Sequence, residues 1–228
     1  LAFSVLAFAP LVWLGAWQVQ RLQWKEDLIA RIGEQAGSQP RQAADVEARL
    51  AAGEDVEFMR ATATGRFVHD NELFVFTTLD GEMGWKLVTP LETDEGNAVL
   101  VDRGFIPYEL KAPAARPGSR PAGPVTVTGI VRPPDPAPAL FVPDNDVEAN
   151  IWHWWALPAM AEAAGLDDTA SFILQAEPRA QDPPWPRAAT PDPAAIPNRH
   201  LGYALTWFGL AAMLVLVNGL YLLRRQAT

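Results

Sequence analysis

Two long uncharged runs bracket the chain. Residues 1–17, LAFSVLAFAPLVWLGAW, and residues 201–223, LGYALTWFGLAAMLVLVNGLYLL, contain no Asp, Glu, Lys or Arg. A helix rises about 1.5 Å per residue and the hydrocarbon core is about 30 Å thick, so about 20 apolar residues cross it. The second run is long enough. The first is slightly short, but it begins at a bare Leu1 and is expected to continue upstream. The pattern predicts membrane helices over 1–20 and 200–223. A cleaved signal peptide is the alternative for the first, but no small-x-small cleavage site follows it and the sequence runs straight into another helical pattern.

Beyond Trp17 the helical period persists through QVQRLQWKEDLIARI, with Trp13, Trp17, Trp24 and Leu28 on one stripe and Gln18, Arg21 and Lys25 on another. Such an aromatic stripe rests on lipid headgroups or on a folded domain. Residues 41–52 predict a short helix stopped at Gly53. The period then changes to that of strands in RATATGRFV, ELFVFTTL, WKLVTPLE and AVLVDRGFIP, separated by HDN, LDGEMG and TDEGN. Breaks of this length and composition predict hairpin turns, and hence an antiparallel meander. PVTVTGIVR (124–132) and SFILQA (171–176) add strands, with a short helix in WALPAMAEAAGL between them, ending at Gly165. Residues 113–143 and 178–197 hold sixteen of the 21 prolines, which makes them extended loops rather than flexible linkers.

About 140 residues between the first strand and the second span are enough to bury a core. The expected fold is a membrane protein of two transmembrane helices flanking an extracytoplasmic α+β domain (21–199), with a mainly antiparallel sheet that a barrel-like closure would complete. A tail, 224–228, follows. Arg224 and Arg225 place that tail in the cytoplasm by the positive-inside bias, and two spans return the N-terminus to the same side. Arg21 and Lys25 argue weakly the other way.

Charge narrows the function. The chain carries a formal charge of −9. Leaving out Arg199, Arg224 and Arg225 at the ends of the second span, the region between the spans has 15 basic against 27 acidic residues, a net of −12. Nucleic-acid binding, which needs a basic face, is excluded. The absence of cysteine removes disulfides, thiolate metal sites and dithiol redox chemistry, and with only four methionines it disfavours a copper chaperone. There is no nucleophile elbow, P-loop or dinucleotide-binding turn, so the chain reads as a non-enzyme.

Three histidines remain. His69 in HDN is expected to be solvated, and His153 in NIWHWWAL to pack or dock. His200 heads a heptad-like stripe with Ala204, Trp207, Ala211, Leu214, Asn218 and Tyr221, beside a face of Gly202, Thr206 and Gly209 suited to close helix approach. Two readings stay open for it. It is an interfacial anchor, or it is a ligand: neutral imidazole binds haem iron, and Arg21, or less readily Arg199, would then meet the propionates of a flat macrocycle in the outer leaflet.

Five segments, LGAWQVQRLQWKEDLI, GRFVHDNELFVFTT with GWKLVTPL, VLVDRGFIP, WALPAMAEAAGL and HLGYALTWFGLA, occur in the order seen in the Surfeit locus protein 1 family, which the chain resembles over nearly its whole length. Asp102 and Phe105 stand where that family often has Asn and Trp. The resemblance implies a bacterial assembly factor for haem-copper cytochrome c oxidase in the inner membrane. Its partners would be oxidase subunit I, other oxidase subunits, a haem a synthase and the bilayer. It implies haem a as cofactor with His200 as the ligand to the haem iron, and Tyr203, Trp207 and Arg21 shaping the site. The alternative within the resemblance is a haem-free scaffold or an accessory subunit retained in the oxidase or its supercomplex. A two-span sensor would require a signalling domain that this sequence does not carry.

Overall fold

The computed structural model describes residues 2–135, 137–190 and 196–226. The end of the expected tail (227–228), Pro136 and residues 191–195 of the second Pro-rich stretch lie outside the described residues. The helices are α1 (Ala2–Ala36), α2 (Ala43–Ala51), α3 (Leu157–Ala163) and α4 (His200–Gln226). The strands are β1 (Arg41–Gln42), β2 (Arg60–Phe67), β3 (Leu73–Leu79), β4 (Glu82–Thr93), β5 (Ala98–Pro107), β6 (Pro124–Arg132) and β7 (Thr169–Ala176). They form two compact units: Leu1–Gly33 with Asp192–Thr228, and Glu34–Pro191.

In the larger unit the strands follow the order β1-β2-β6-β7-β5-β4-β3, and an additional β2–β4 pairing joins the sheet to itself. Five strands, β2, β6, β7, β5 and β4, thus close a ring, with β1 and β3 appended. Pairing is antiparallel except for β1–β2 and β5–β7. The barrel-like closure anticipated from the sequence is present. Side chains alternate across a strand, so every second residue points into the ring. Ala61, Leu91, Val99, Val101, Val127, Val131, Phe172 and Leu174, drawn from all five ring strands, share one buried core, joined by Val46 of α2. The opposite faces of β5 and β7 bury Leu100 and Ile173 under α3 and the fully buried Trp152. Burial on both sides explains why AVLV reads as an unbroken apolar run.

The meander is shorter than expected. β3, β4 and β5 do form consecutive antiparallel pairs, with Asp80 and Gly81 at positive φ (53° and 86°) making the first turn. HDN, however, is not a hairpin. It is a 3₁₀ turn whose side chains bond remote backbone: His69 Nε2 meets the Pro121 carbonyl (3.1 Å) and Asn71 Nδ2 donates to the Ala164 carbonyl (2.7 Å). β2 consequently pairs with β6 and β4 instead of β3.

Ring closure brings two backbones very close at Gly65, which pairs with both Val125 and Thr93. A Cβ there would stand 2.0 Å from the Glu92 carbonyl oxygen. Only glycine lets β4 approach this side of β2.

α1 covers Ala2–Ala36. Among the described residues one helix, His200–Arg225, is long and apolar enough to cross a bilayer. Gly65→Ala is expected to force the β2–β4 seam apart, costing more than about 2 kcal/mol. Urea denaturation followed by Trp fluorescence checks this as a lowered midpoint.

Candidate functional site

α1 and α4 meet along matching seams. On α4, His200, Trp207, Leu214 and Asn218 are half-buried and Ala204 and Ala211 are buried, while the rest of the described helix from Leu201 to Arg225 is exposed. This is the heptad stripe read from the sequence, apart from Tyr221, which is exposed. Steps of alternately three and four residues keep one narrow face toward a partner helix. Small alanines there admit close approach.

The neighbouring face does not do what its small residues suggested. Gly202 and Gly209 are exposed, and a Cβ on either would meet nothing. Thr206 Oγ1 donates to the Gly202 carbonyl of its own helix (2.9 Å), which satisfies the hydroxyl without a second helix. Close approach occurs instead at Gly15 of α1, where a Cβ would come within 2.6 Å of the Phe208 ring.

Three polar contacts fix this pair. Ser4 Oγ donates to Asn218 Oδ1 (3.0 Å), and Asn218 Nδ2 donates to the Leu214 carbonyl (2.8 Å). Lys25 Nζ donates to the Pro197 carbonyl (2.5 Å), just ahead of α4. The third contact is the informative one: His200 Nδ1 lies 2.7 Å from Oε1 of the buried Gln18. An amide oxygen only accepts, so in this contact Nδ1 is the donor. Orientation of one ring nitrogen by a fixed acceptor is the usual support of a metal-ligating histidine.

The other expected site residues are distributed around this point. Trp207 lies on the seam, two turns along from His200. Tyr203 is 55% exposed, and its backbone N–H reaches the Arg199 carbonyl. The Arg21 guanidinium sits over the Trp24 ring at 4.3 Å. Trp13, Trp17 and Trp24 are all exposed.

The larger unit holds a constellation not anticipated from the sequence. Glu72, just after the HDN turn, is buried and receives the fully buried Arg116 through both guanidinium Nη atoms. Arg120 Nη2 and Arg103 Nη1 stand 3.5 and 3.9 Å from the same carboxylate. His69, expected to be solvated, is instead half-buried, with Nδ1 3.6 Å from Glu72. Burial, partly offset by Glu72 and reinforced by Arg116, lowers the Arg103 pKa to about 10. It remains a cation at neutral pH. The charges come from residues 72, 103, 116 and 120, so no local spacing betrays them.

The two departures from the resembled family are accommodated. Asp102 is buried but accepts from Lys86 Nζ (2.8 Å) and from the Gly104 N–H (3.0 Å). Phe105 packs edge-on against Trp185 at 6.1 Å. On the opposite side of β4, Lys111 lies over the rings of Trp85 and Phe74, and burial lowers its pKa.

Comparison with known proteins resolves the family. The sequence model of the SURF1 family matches residues 5–212. This chain belongs to the SURF1 family. It is 30% identical over 227 residues to Surfeit locus protein 1 of Takifugu rubripes, covering 92% of this chain and 91% of that protein. Surfeit locus protein 1 of Mus musculus is 31% identical, covering 92% and 71%. A SURF1-like protein of Rickettsia bellii (strain RML369-C) is 28% identical, covering 95% and 88%. The match takes in both the Glu72–Arg116 cluster and the His200 end of α4, so both belong to the part of the chain shared with the family.

Glu72→Gln would leave Arg116 buried without its counter-charge. The expected cost is about 3–5 kcal/mol, because a stranded buried charge loses far more than the pair gains. Chemical denaturation of the variant against wild type measures it.

Proposed function

We propose that this SURF1-family chain is a membrane-anchored assembly factor for haem-copper cytochrome c oxidase and that it handles haem a at His200. In this reading 1–20 and 200–223 span the inner membrane of a bacterial cell, 224–228 is cytoplasmic, and 21–199 is extracytoplasmic. The partners are oxidase subunit I, with other oxidase subunits, and a haem a synthase that supplies the cargo.

The observation that carries the reading is the Gln18–His200 hydrogen bond at the mouth of α4. A histidine serving only as an interfacial anchor has no need of a buried amide on the next helix. A ligand does, because the amide selects the tautomer and holds the ring. The donor chemistry therefore fits haem: iron bound to a porphyrin accepts a neutral imidazole as axial ligand. Trp207 and the small seam residues supply an apolar surface beside the ring. Gln18 orients the imidazole, and Arg21 supplies a cation one helical turn from Gln18.

The haem-free scaffold draws on a different observation. Tyr203 is exposed and Arg21 is engaged with Trp24, so neither closes a polar shell around His200.

Co-expression with a haem a synthase, followed by reduced-minus-oxidised spectra of the purified protein, separates the two. The haem a reading predicts a band in wild type that is lost or shifted in His200→Ala, with membrane insertion and helix content unchanged. A pigment-free protein of normal fold that still co-purifies with subunit I supports the scaffold.

A further inference from the structure

The negative charge of the chain is unevenly placed. Residues 133–178 hold eight carboxylates and no lysine or arginine. Part of this excess gathers where it is locally unfavourable. The last carbonyls of a helix carry partial negative charge, which a cation nearby offsets. The last turn of α3 has no basic residue; Glu162 stands in it, and Asp167 follows just beyond Gly165. Both side chains are exposed, and neither forms an ion pair among the described residues. Arg132 and Arg179, the basic residues that bracket the stretch, are engaged elsewhere. Arg132 lies over the Phe58 ring at 5.4 Å, and Arg179 pairs with Asp182 at 3.1 Å.

The same two carboxylates rim a groove of about 640 Å³ between α3, the start of β7 and Pro134. Its lining is otherwise mainly apolar: Leu157, Pro158, Ala161, Leu166 and Ala170. Leu157 and Ala170 are buried beneath it, whereas Pro158 is exposed and Ala161 and Leu166 are half-buried. At one end Ser171 donates its N–H and its Oγ to Glu47 (2.8 and 2.6 Å), which sets a third carboxylate beside the groove. A second copy of this chain, at −9, would add negative charge to a negative rim. A bare cation would answer the rim and leave the apolar strip uncovered.

We propose that this groove docks a basic amphipathic segment of a partner protein, its apolar side chains on Pro158, Ala161 and Leu166 and its Lys or Arg side chains meeting Glu162 and Asp167. Opposite charge at the rim selects the partner and speeds encounter, while the apolar strip supplies the buried area. The surface lies wholly within the larger unit and stands whether or not His200 holds haem a.

The test is fluorescence anisotropy of a fluorescein-labelled octapeptide, KLLKKLLK, titrated with the full chain in a neutral detergent, with empty micelles as blank. Saturable binding at one site is expected, weakened at least tenfold in the double variant Glu162→Gln, Asp167→Asn. Ala161→Trp fills the groove and keeps both carboxylates, and it should weaken binding as much. Glu82→Gln with Glu95→Gln removes the same charge from exposed positions outside the groove and should bind as wild type does. All these positions are exposed or half-buried, and far-UV circular dichroism checks that each variant keeps its fold. The proposal is overturned if the octapeptide does not bind above the blank, if either groove variant binds it as wild type does, or if the Glu82, Glu95 variant loses as much. It is overturned equally if tetralysine, which has the charge without the apolar side chains, displaces the probe as well as unlabelled octapeptide does.

Discussion

A single hydrogen bond decides what His200 is able to do. Gln18 Oε1 accepts from Nδ1 and fixes the direction of the imidazole. Gln18 is itself buried, so its amide has few competitors for that role. The seam between α1 and α4 brings these two side chains together. Alanines 204 and 211 let the helices approach, Gly15 makes room for Phe208, and Ser4 with Asn218 closes the far end. An imidazole without such a partner would be free to turn.

The larger unit rests on a second constraint, closure of the five-stranded ring. Gly65 makes β2 double-sided by letting it pair with β6 along its length and with β4 at its end. Closure leaves the ring strands without an open edge and gathers alternate residues of all five into one core. It also brings the loop after β5 back beside the HDN turn, where Arg116 and Glu72 meet although 44 positions separate them. The same geometry sets Arg103 beside that ion cluster.

Much of this was legible beforehand, and the failures are physical. The α4 stripe followed from its period because a two-helix seam depends only on spacing. The β6 strand and the α3 helix matched their expected bounds closely, each being marked by strong local chemistry: β-branched residues in one, a proline start and Gly165 stop in the other. HDN was misread as a hairpin turn because its turn-forming side chains are spent on remote carbonyls, a matter of tertiary context. Gly202 and Gly209 were misread as packing residues because smallness permits approach but does not select a face. The Glu72–Arg103–Arg116 cluster was invisible, since only ring closure brings its members together. Gln18 was read as part of a polar stripe on α1. Its link to His200 crosses 182 positions and has no sequence signature.

The tautomer of His200 is the most direct measurement of the account. Long-range ¹H–¹⁵N correlation spectra of histidine-labelled full chain at neutral pH distinguish a protonated Nδ1 from a protonated Nε2, with His200→Gln used to assign the signal. The account predicts the Nδ1–H form in the wild-type protein and its loss in Gln18→Leu. An Nε2–H ring in wild type, or a spectrum indifferent to Gln18, would contradict a histidine held by Gln18 with its Nε2 lone pair ready for a metal.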